Sequence, residues 1–383
     1  MKVTFVSNYI NHHQIPLSNV LFRELGKDYT FIQTEKMEEE RVQLGWGLKT
    51  LPEYVKCSYE EPEQCAELIL ESDMVIWGGL EEEAMLQPRL QAGKPVIRYS
   101  ERLYKEGQWK AITPRGLRKK YLDHTRYRKA PVYLLCAGAF VASDFHIVRA
   151  YPDKMFRWGY FPEYKEYDIE TLMQEKEPGE ILWAARFIDW KHPELVVAVA
   201  RELKNRGKKF HITMVGDGPL RPQTEAMIAQ AGLQECFTLT GAISPKEVRI
   251  HMEKASIYLM TSDRKEGWGA VLNEAMNSGC AVIADRMEGA PLFLIEQGEN
   301  GYWCHKPTAG TMADLVEKLL EDKALCAKIG RNAYETIAGT WNPEVAGMRL
   351  LAMCECILKG KEPKDLWTEG PCSKAEIISE RMR

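Results

Sequence analysis

Two carboxylates, Glu266 and Glu274, flank the turn Gly267-Trp268-Gly269 in the stretch DRKEGWGAVLNEAMNSGCAVIA, residues 263–284. The glycines leave the backbone amides of Gly267, Trp268, Gly269, Ala270 and Val271 free to face an anion. They do so at the positive end of the helix that follows. Glu274 lies about one turn into that helix, placed to accept from the hydroxyls of a ribose, while Glu266 precedes the turn and can hold a sugar hydroxyl on the far side of a diphosphate. Pairs of Glu at this spacing also arise by chance, so the glycines and the flanking strands carry the signal. Two further loops share this character. VGDGPLRPQTEAM (215–227) brings Gly216, Asp217 and Gly218 between a strand and a helix, where glycine permits close backbone approach to a ligand, or simply makes the turn. AARFIDWKHPE (184–194) carries Arg186 and Lys191, cations suited to neutralising a diphosphate leaving group by electrostatics rather than by proton transfer.

Loops of this kind need strand ends and helix starts to hold them. Short β-branched runs alternate with helical patterns along the whole chain. The first half offers 2–8, 29–34, 74–79, 95–100, 132–138 and 155–161; the second offers 180–187, 210–218, 237–242, 256–262, 281–286 and 301–307. Continuous apolar strands between amphipathic helices predict parallel sheets covered on both faces. In HPELVVAVARELKNRG (192–207), Leu195, Val199 and Leu203 recur every four residues and Gly207 ends the helix. The expected architecture is α/β: two Rossmann-like, doubly wound domains facing across a cleft. The first spans 1–162, a polar connection covers 163–179, and the second spans 180–341. A helix at about 342–360 packs back onto the first domain, and 361–383 forms a loosely attached tail.

Bulk properties agree with a globular protein. The chain has 383 residues, long enough for two domains, with 45% hydrophobic and 28% charged residues and a net charge of −4. That balance speaks against nucleic acid as a partner. Ten scattered Cys, without a Cys-x-x-Cys pair, fit neither a zinc module nor a disulfide framework and suit a reducing cytoplasm. No apolar run reaches the ~18 residues of a membrane span. The expected location is the cytoplasm, peripheral to the membrane at most.

Taken together, ILWAARFIDWKHPELVVAVARELKNRG, MVGDGPL, FTLTGAIS, the Glu266–Glu274 stretch and GENGYWCHKP resemble the family 4 glycosyltransferases of the two-Rossmann-domain GT-B fold. The resemblance covers the second domain in order and spacing. It implies transfer of a sugar from a UDP- or GDP-sugar, with retention of configuration and without a metal or other cofactor. It also implies that Arg186 and Lys191 bind the donor diphosphate, Glu266 contacts the transferred sugar, and Glu274 binds the ribose.

The first domain resembles the family in outline. Many members carry Gly-Gly in the first strand-to-helix loop; this chain has SNYINHHQIPLSN (7–19). Asn8, His12 and His13 are candidates to replace that contact, with a polar helix start as the plain alternative. Glu101 and Arg102, in YSERLYKEG (99–107), are candidates to face the acceptor, a glycan or lipid-linked hydroxyl. Residues 98–129 carry eleven Lys or Arg against three acids, interleaved with Tyr99, Tyr104, Trp109, Tyr121 and Tyr127. Such a stretch fits an anionic lipid surface, an acceptor phosphate, or a solvated helix face.

Other readings remain open. An NAD-dependent oxidoreductase would share the fold, but no Gly-x-Gly-x-x-Gly follows the first strand. A silent nucleotide-sugar binder would not need all four charged site residues. A glycoside hydrolase would use two carboxylates, but not beside a phosphate-type helix mouth.

Overall fold

The computed structural model describes residues 1–38, 47–48, 50–78, 80, 83–108 and 113–380. Trp109, named above, and Gly79 and Lys110, within the ranges 74–79 and 98–129 given above, lie outside the described residues. The chain forms two compact units, Met1–Glu163 with Trp341–Arg383, and Tyr164–Thr340.

In the first unit, β1 (Val3–Ser7), β2 (Tyr29–Gln33), β3 (Val55–Cys57), β4 (Met74–Gly78), β5 (Val96–Ser100), β6 (Val132–Ala137) and β7 (Met155–Trp158) form one sheet in the order β3-β2-β1-β4-β5-β6-β7. Every pairing is parallel. In the second unit, β8 (Glu177–Ala184), β9 (His211–Val215), β10 (Phe237–Gly241), β11 (Ala255–Met260), β12 (Ala281–Asp285) and β13 (Tyr302–Cys304) run β10-β9-β8-β11-β12-β13, again all parallel. Both orders reverse direction beside the unit's first strand, at the β1/β4 and β8/β11 boundaries. In open parallel sheets, ligands bind at such reversals, outside the carboxyl ends of the strands. The strands are buried along nearly their whole length because helices cover both faces. The three-residue strand β3, absent from the sequence reading, is the edge of its sheet and too short to show a pattern.

Two expectations about connections need correction. The segment expected to be a polar connection, 163–179, belongs from Tyr164 onward to the second unit. Asp168 caps a helix, Ile169–Glu175, by accepting from the amides of Glu170 and Thr171, and β8 begins at Glu177. Lys176 is half-buried here, its ammonium donating to the carbonyls of Met252, Ala255 and Ser278. A lysine satisfied in this way is indistinguishable in sequence from a solvated one.

The segment 361–383 is not a loose tail over its described part. Ala375 and Cys372 donate to the carbonyls of Met155 and Arg157, and the Arg157 amide donates to Ser373. Phe156 and Lys374 form an antiparallel bridge, and Cys372, Ser373 and Ala375 are buried. This pairing covers the free edge of β7, which would otherwise expose a row of unpaired peptide groups. The helix Pro343–Leu358, capped by Asn342, lies against Ile15–Leu25 of the same unit; a Cβ at Gly347 would come within 2.6 Å of Val20 Cγ1.

Candidate active site

The loops leaving β8, β9 and β11 are tied to one another by backbone. The Phe187 amide donates to the Asp217 carbonyl (2.9 Å), the Leu220 amide to Phe187 (3.0 Å), and the Asp263 amide to Trp190 (2.9 Å). Trp183 on β8 donates its indole N–H to Thr261, whose hydroxyl donates to the Lys191 carbonyl at 2.6 Å. Gly216 and Gly218 adopt φ of 129° and 151°, and a Cβ on Gly216 would stand 2.0 Å from the Ala185 carbonyl oxygen. Glycine is required there by contact as well as by conformation.

Lys191 reaches the site through a local constraint. Pro193 opens the helix Pro193–Asn205 and disfavours a right-handed conformation at His192, which takes φ 50°, ψ 53°. The imidazole is held by Glu194 (2.7 Å) and Asp263 (3.4 Å). The hydrogen bond to Glu194, with a smaller contribution from Asp263, raises the His192 pKa against the opposing effect of burial. Lys191 pairs with Glu266, their side chains 12% and 18% exposed. Arg186 remains exposed, its guanidinium 5.9 Å from the centre of the Trp190 ring.

Around the glycine turn, Gly269 takes φ 86° as the N-cap of the helix Ala270–Asn277, with no side-chain hydrogen bond capping it. The first turn of this helix therefore presents amides without a side-chain acceptor. A Cβ on Gly269 would lie 2.2 Å from Met260 Cε. Trp268 is fully buried and donates to Asn273 at 2.8 Å, so its indole is a packing element and only its backbone serves the loop. Ala270 is buried, Val271 and Glu274 are half-buried, and Asp217 is exposed. The structure thus brings Lys191 and Glu266 into contact and places Arg186, Asp217, Glu274 and the glycines on loops or helix starts of the same unit.

Two residues of this region were missed by sequence reasoning. Asp263 holds the loop shut, accepting from His192 and from the Lys265 amide at 2.8 Å, while its carbonyl accepts from the Glu266 amide. Glu288, after β12, is fully buried with neither carboxyl oxygen hydrogen-bonded among the described residues. Its signal was present, a glutamate beside Gly289 on a fourth strand-end loop.

In the first unit, the Asn11 side chain accepts from the His13 amide and its carbonyl from the amides of Gln14 and Ile15, just before the helix Ile15–Leu25. The rings of His12 and His13 lie 3.9 Å apart. Burial lowers their pKa values to about 4 and about 3. The Asn8 carbonyl accepts from the amides of Thr34 and Glu35, both at 2.8 Å. Glu101 accepts from Tyr160 at 2.5 Å and from Lys105 at 2.7 Å, and Tyr160 stacks at 6.5 Å from His13. Glu101 and His13 are therefore joined through Tyr160. Arg102 points the other way, into the interior: it is fully buried against Asp144 and also pairs with Glu380. The expectation that Arg102 faces an acceptor is corrected accordingly.

Residues 165–336 match the family model described as glycosyl transferases group 1. The second unit is thus similar over nearly its whole length to group 1 glycosyl transferases. Its curated relatives include the Alpha-D-kanosaminyltransferase of Streptomyces kanamyceticus, 31% identical over 207 residues, which are 52% of this chain and 53% of that protein. The amylovoran biosynthesis glycosyltransferase AmsK of Erwinia amylovora is 26% identical over 204 residues, 52% of this chain and 49% of its own length. The chain thus spans about half the length of the curated relatives it matches. Among solved structures, the Anabaena protein Alr3699/HepE, crystallised with UDP and glucose, superposes with a TM-score of 0.66 at 14% identity, covering 93% of this chain and 99% of that one. This likeness carries the fold, GT-B, for the two parallel-sheet units. Among the described residues, no helix is long and apolar enough to cross a membrane.

Proposed function

We propose that the protein is a retaining family 4 glycosyltransferase that moves a hexose-type sugar from a UDP- or GDP-sugar to a hydroxyl of a glycan or lipid-linked acceptor, in cell-surface polysaccharide or glycolipid assembly. The observation that carries this reading is the Lys191–Glu266 pair beside the uncapped mouth of Ala270–Asn277. Arg186, Lys191 and the helix amides take the diphosphate, Glu274 the ribose, and Glu266 the sugar. The acceptor oxygen forms a bond to the anomeric carbon as the bond from that carbon to the phosphate oxygen breaks. The departing phosphate oxygen takes the acceptor's proton from the same face, so no enzymic nucleophile is needed. Side chains and amides meet the diphosphate charge, so donor binding is expected to persist in EDTA. The Anabaena neighbour's complex with UDP and glucose supports the choice of donor class. Calorimetry with UDP, GDP, ADP and NAD tests it. Binding of UDP or GDP selects the donor series; binding of NAD alone sinks the reading in favour of an oxidoreductase.

For the acceptor side, the helix Pro114–Asp123 has no buried residue and exposes Leu117, Tyr121 and Leu122 among Arg115, Arg118 and Lys119. Cations interleaved with exposed apolar side chains suit an anionic bilayer surface, which supports peripheral attachment from the cytoplasmic side and a lipid-linked acceptor. Failure to sediment with vesicles containing phosphatidylglycerol at low salt would remove this part.

A further inference from the structure

The donor loop rests on a second loop. A Cβ on Gly289 would lie 1.8 Å from the Gly267 carbonyl oxygen, and the Ala290 amide donates to Trp268 at 3.1 Å. This contact brings Glu288 beside Gly269, the N-cap of the helix Ala270–Asn277. Both Glu288 Oε2 and Glu266 Cγ stand 3.6 Å from the position a Cβ of Gly269 would occupy, so the two carboxyl side chains flank the same glycine. Glu288 is completely enclosed, and neither of its oxygens has a hydrogen-bond partner among the described residues. An unmet buried polar group of this kind is costly, and its presence calls for a partner that arrives in another state.

We propose that Glu288 is a positioning residue of the donor site: when the donor's diphosphate claims Lys191, the protonated Glu288 donates its O–H to the Glu266 carboxylate and keeps it in place for the sugar. The inference rests on the function proposed above. Lys191 now holds Glu266; a diphosphate draws that ammonium away and leaves Glu266 facing further negative charge. A neighbouring carboxylic acid supplies the missing donor, the two groups sharing one proton as close carboxyl pairs do. The titratable groups facing Glu288 are Glu266, Lys191 and Asp285, with Tyr258 on β11. Burial, reinforced by the charge of Glu266, raises the Glu288 pKa well above the usual carboxylate range and so favours the protonated acid. No proton leaves the pair in this exchange.

The test uses the full chain with UDP-glucose, GDP-mannose, UDP and GDP as probes, titrated calorimetrically between pH 6 and pH 10 in wild type, Glu288→Ala and Glu288→Gln. Near pH 7, Glu288→Ala is expected to weaken sugar-nucleotide binding about tenfold to a hundredfold, the worth of a hydrogen bond to a charged group. Glu288→Gln, whose amide also donates, is expected to restore it. Wild-type affinity falls on the alkaline side as Glu288 loses its proton, and Glu288→Gln lacks that fall. Unchanged binding in Glu288→Ala, no rescue by Glu288→Gln, or identical pH profiles in wild type and Glu288→Gln would each overturn the proposal. If wild type binds none of the four probes, the donor reading itself fails instead.

Discussion

Arg102–Asp144 in the first unit and Lys191–Glu266 in the second are both pairs of a cation and a carboxylate, and they do opposite things. Arg102 and Asp144 are each 0% exposed, and Asp144 also accepts from the Tyr104 amide and from Gln108. Arg102 in turn meets Glu380 and lies over the Phe140 ring. These surrounding contacts offset part of the desolvation of such a pair, and removing one partner strands a buried charge. Lys191 and Glu266 keep some solvent contact at the rim of loops shaped by glycine. An incoming diphosphate can therefore take over Lys191 while Glu266 turns to the Glu288 acid, so that neither charge is left alone. The same two chemical groups make a structural clasp where they are enclosed and a ligand-exchangeable latch where they are not.

Four substitutions break or sharpen that contrast. Arg102→Ala should have the largest effect, destabilising the first unit by about 3–5 kcal/mol, read as a lowered urea midpoint. Lys191→Ala should leave that midpoint nearly unchanged and lower donor turnover about a hundredfold to a thousandfold, as loss of one preorganised charge-stabilising donor does. Equal loss of stability in the two variants would erase the distinction between clasp and latch. Glu274→Ala should weaken UDP or GDP binding by about tenfold, close to the worth of one hydrogen bond from a hydroxyl to a charged group, with a smaller effect on turnover; calorimetry separates the two.

The smallest effect concerns Glu288 and pH. Its folded pKa is raised, so the folded chain holds a proton that the unfolded chain releases above its own carboxylate pKa. Stability therefore declines as pH rises from that unfolded value towards the folded one. Glu288→Gln removes the decline: its melting temperature should match wild type near pH 4 and exceed it by a margin that widens towards pH 8. Parallel melting curves across that range would show that Glu288 is not held protonated.

Much of the second unit could be read from local pattern. Parallel strands followed from the alternation of apolar runs with helices, and the phosphate-type loops from their glycines; at Gly216, Gly218 and Gly269 a positive φ and a close approach of neighbouring atoms demand glycine. The first unit was less legible where its contacts are distant in sequence. Arg102 looked like one of a run of surface cations, because Asp144 and Glu380 lie far along the chain. Residues 361–380 looked detached because edge pairing to β7 needs only backbone groups, and these leave no periodic signal.

What the amino-acid order determined alone was short-range: which segments form strands and helices, where a helix presents unpaired amides, and where Gly is obligatory. Those properties depend on backbone sterics and neighbours within a turn or two. Tertiary structure alone decided which charges meet. Lys191 with Glu266, Arg102 with Asp144, and the enclosure of Glu288 all arise from chain segments brought together by sheet packing. The strength and role of a charge are set by how much water that packing leaves around it.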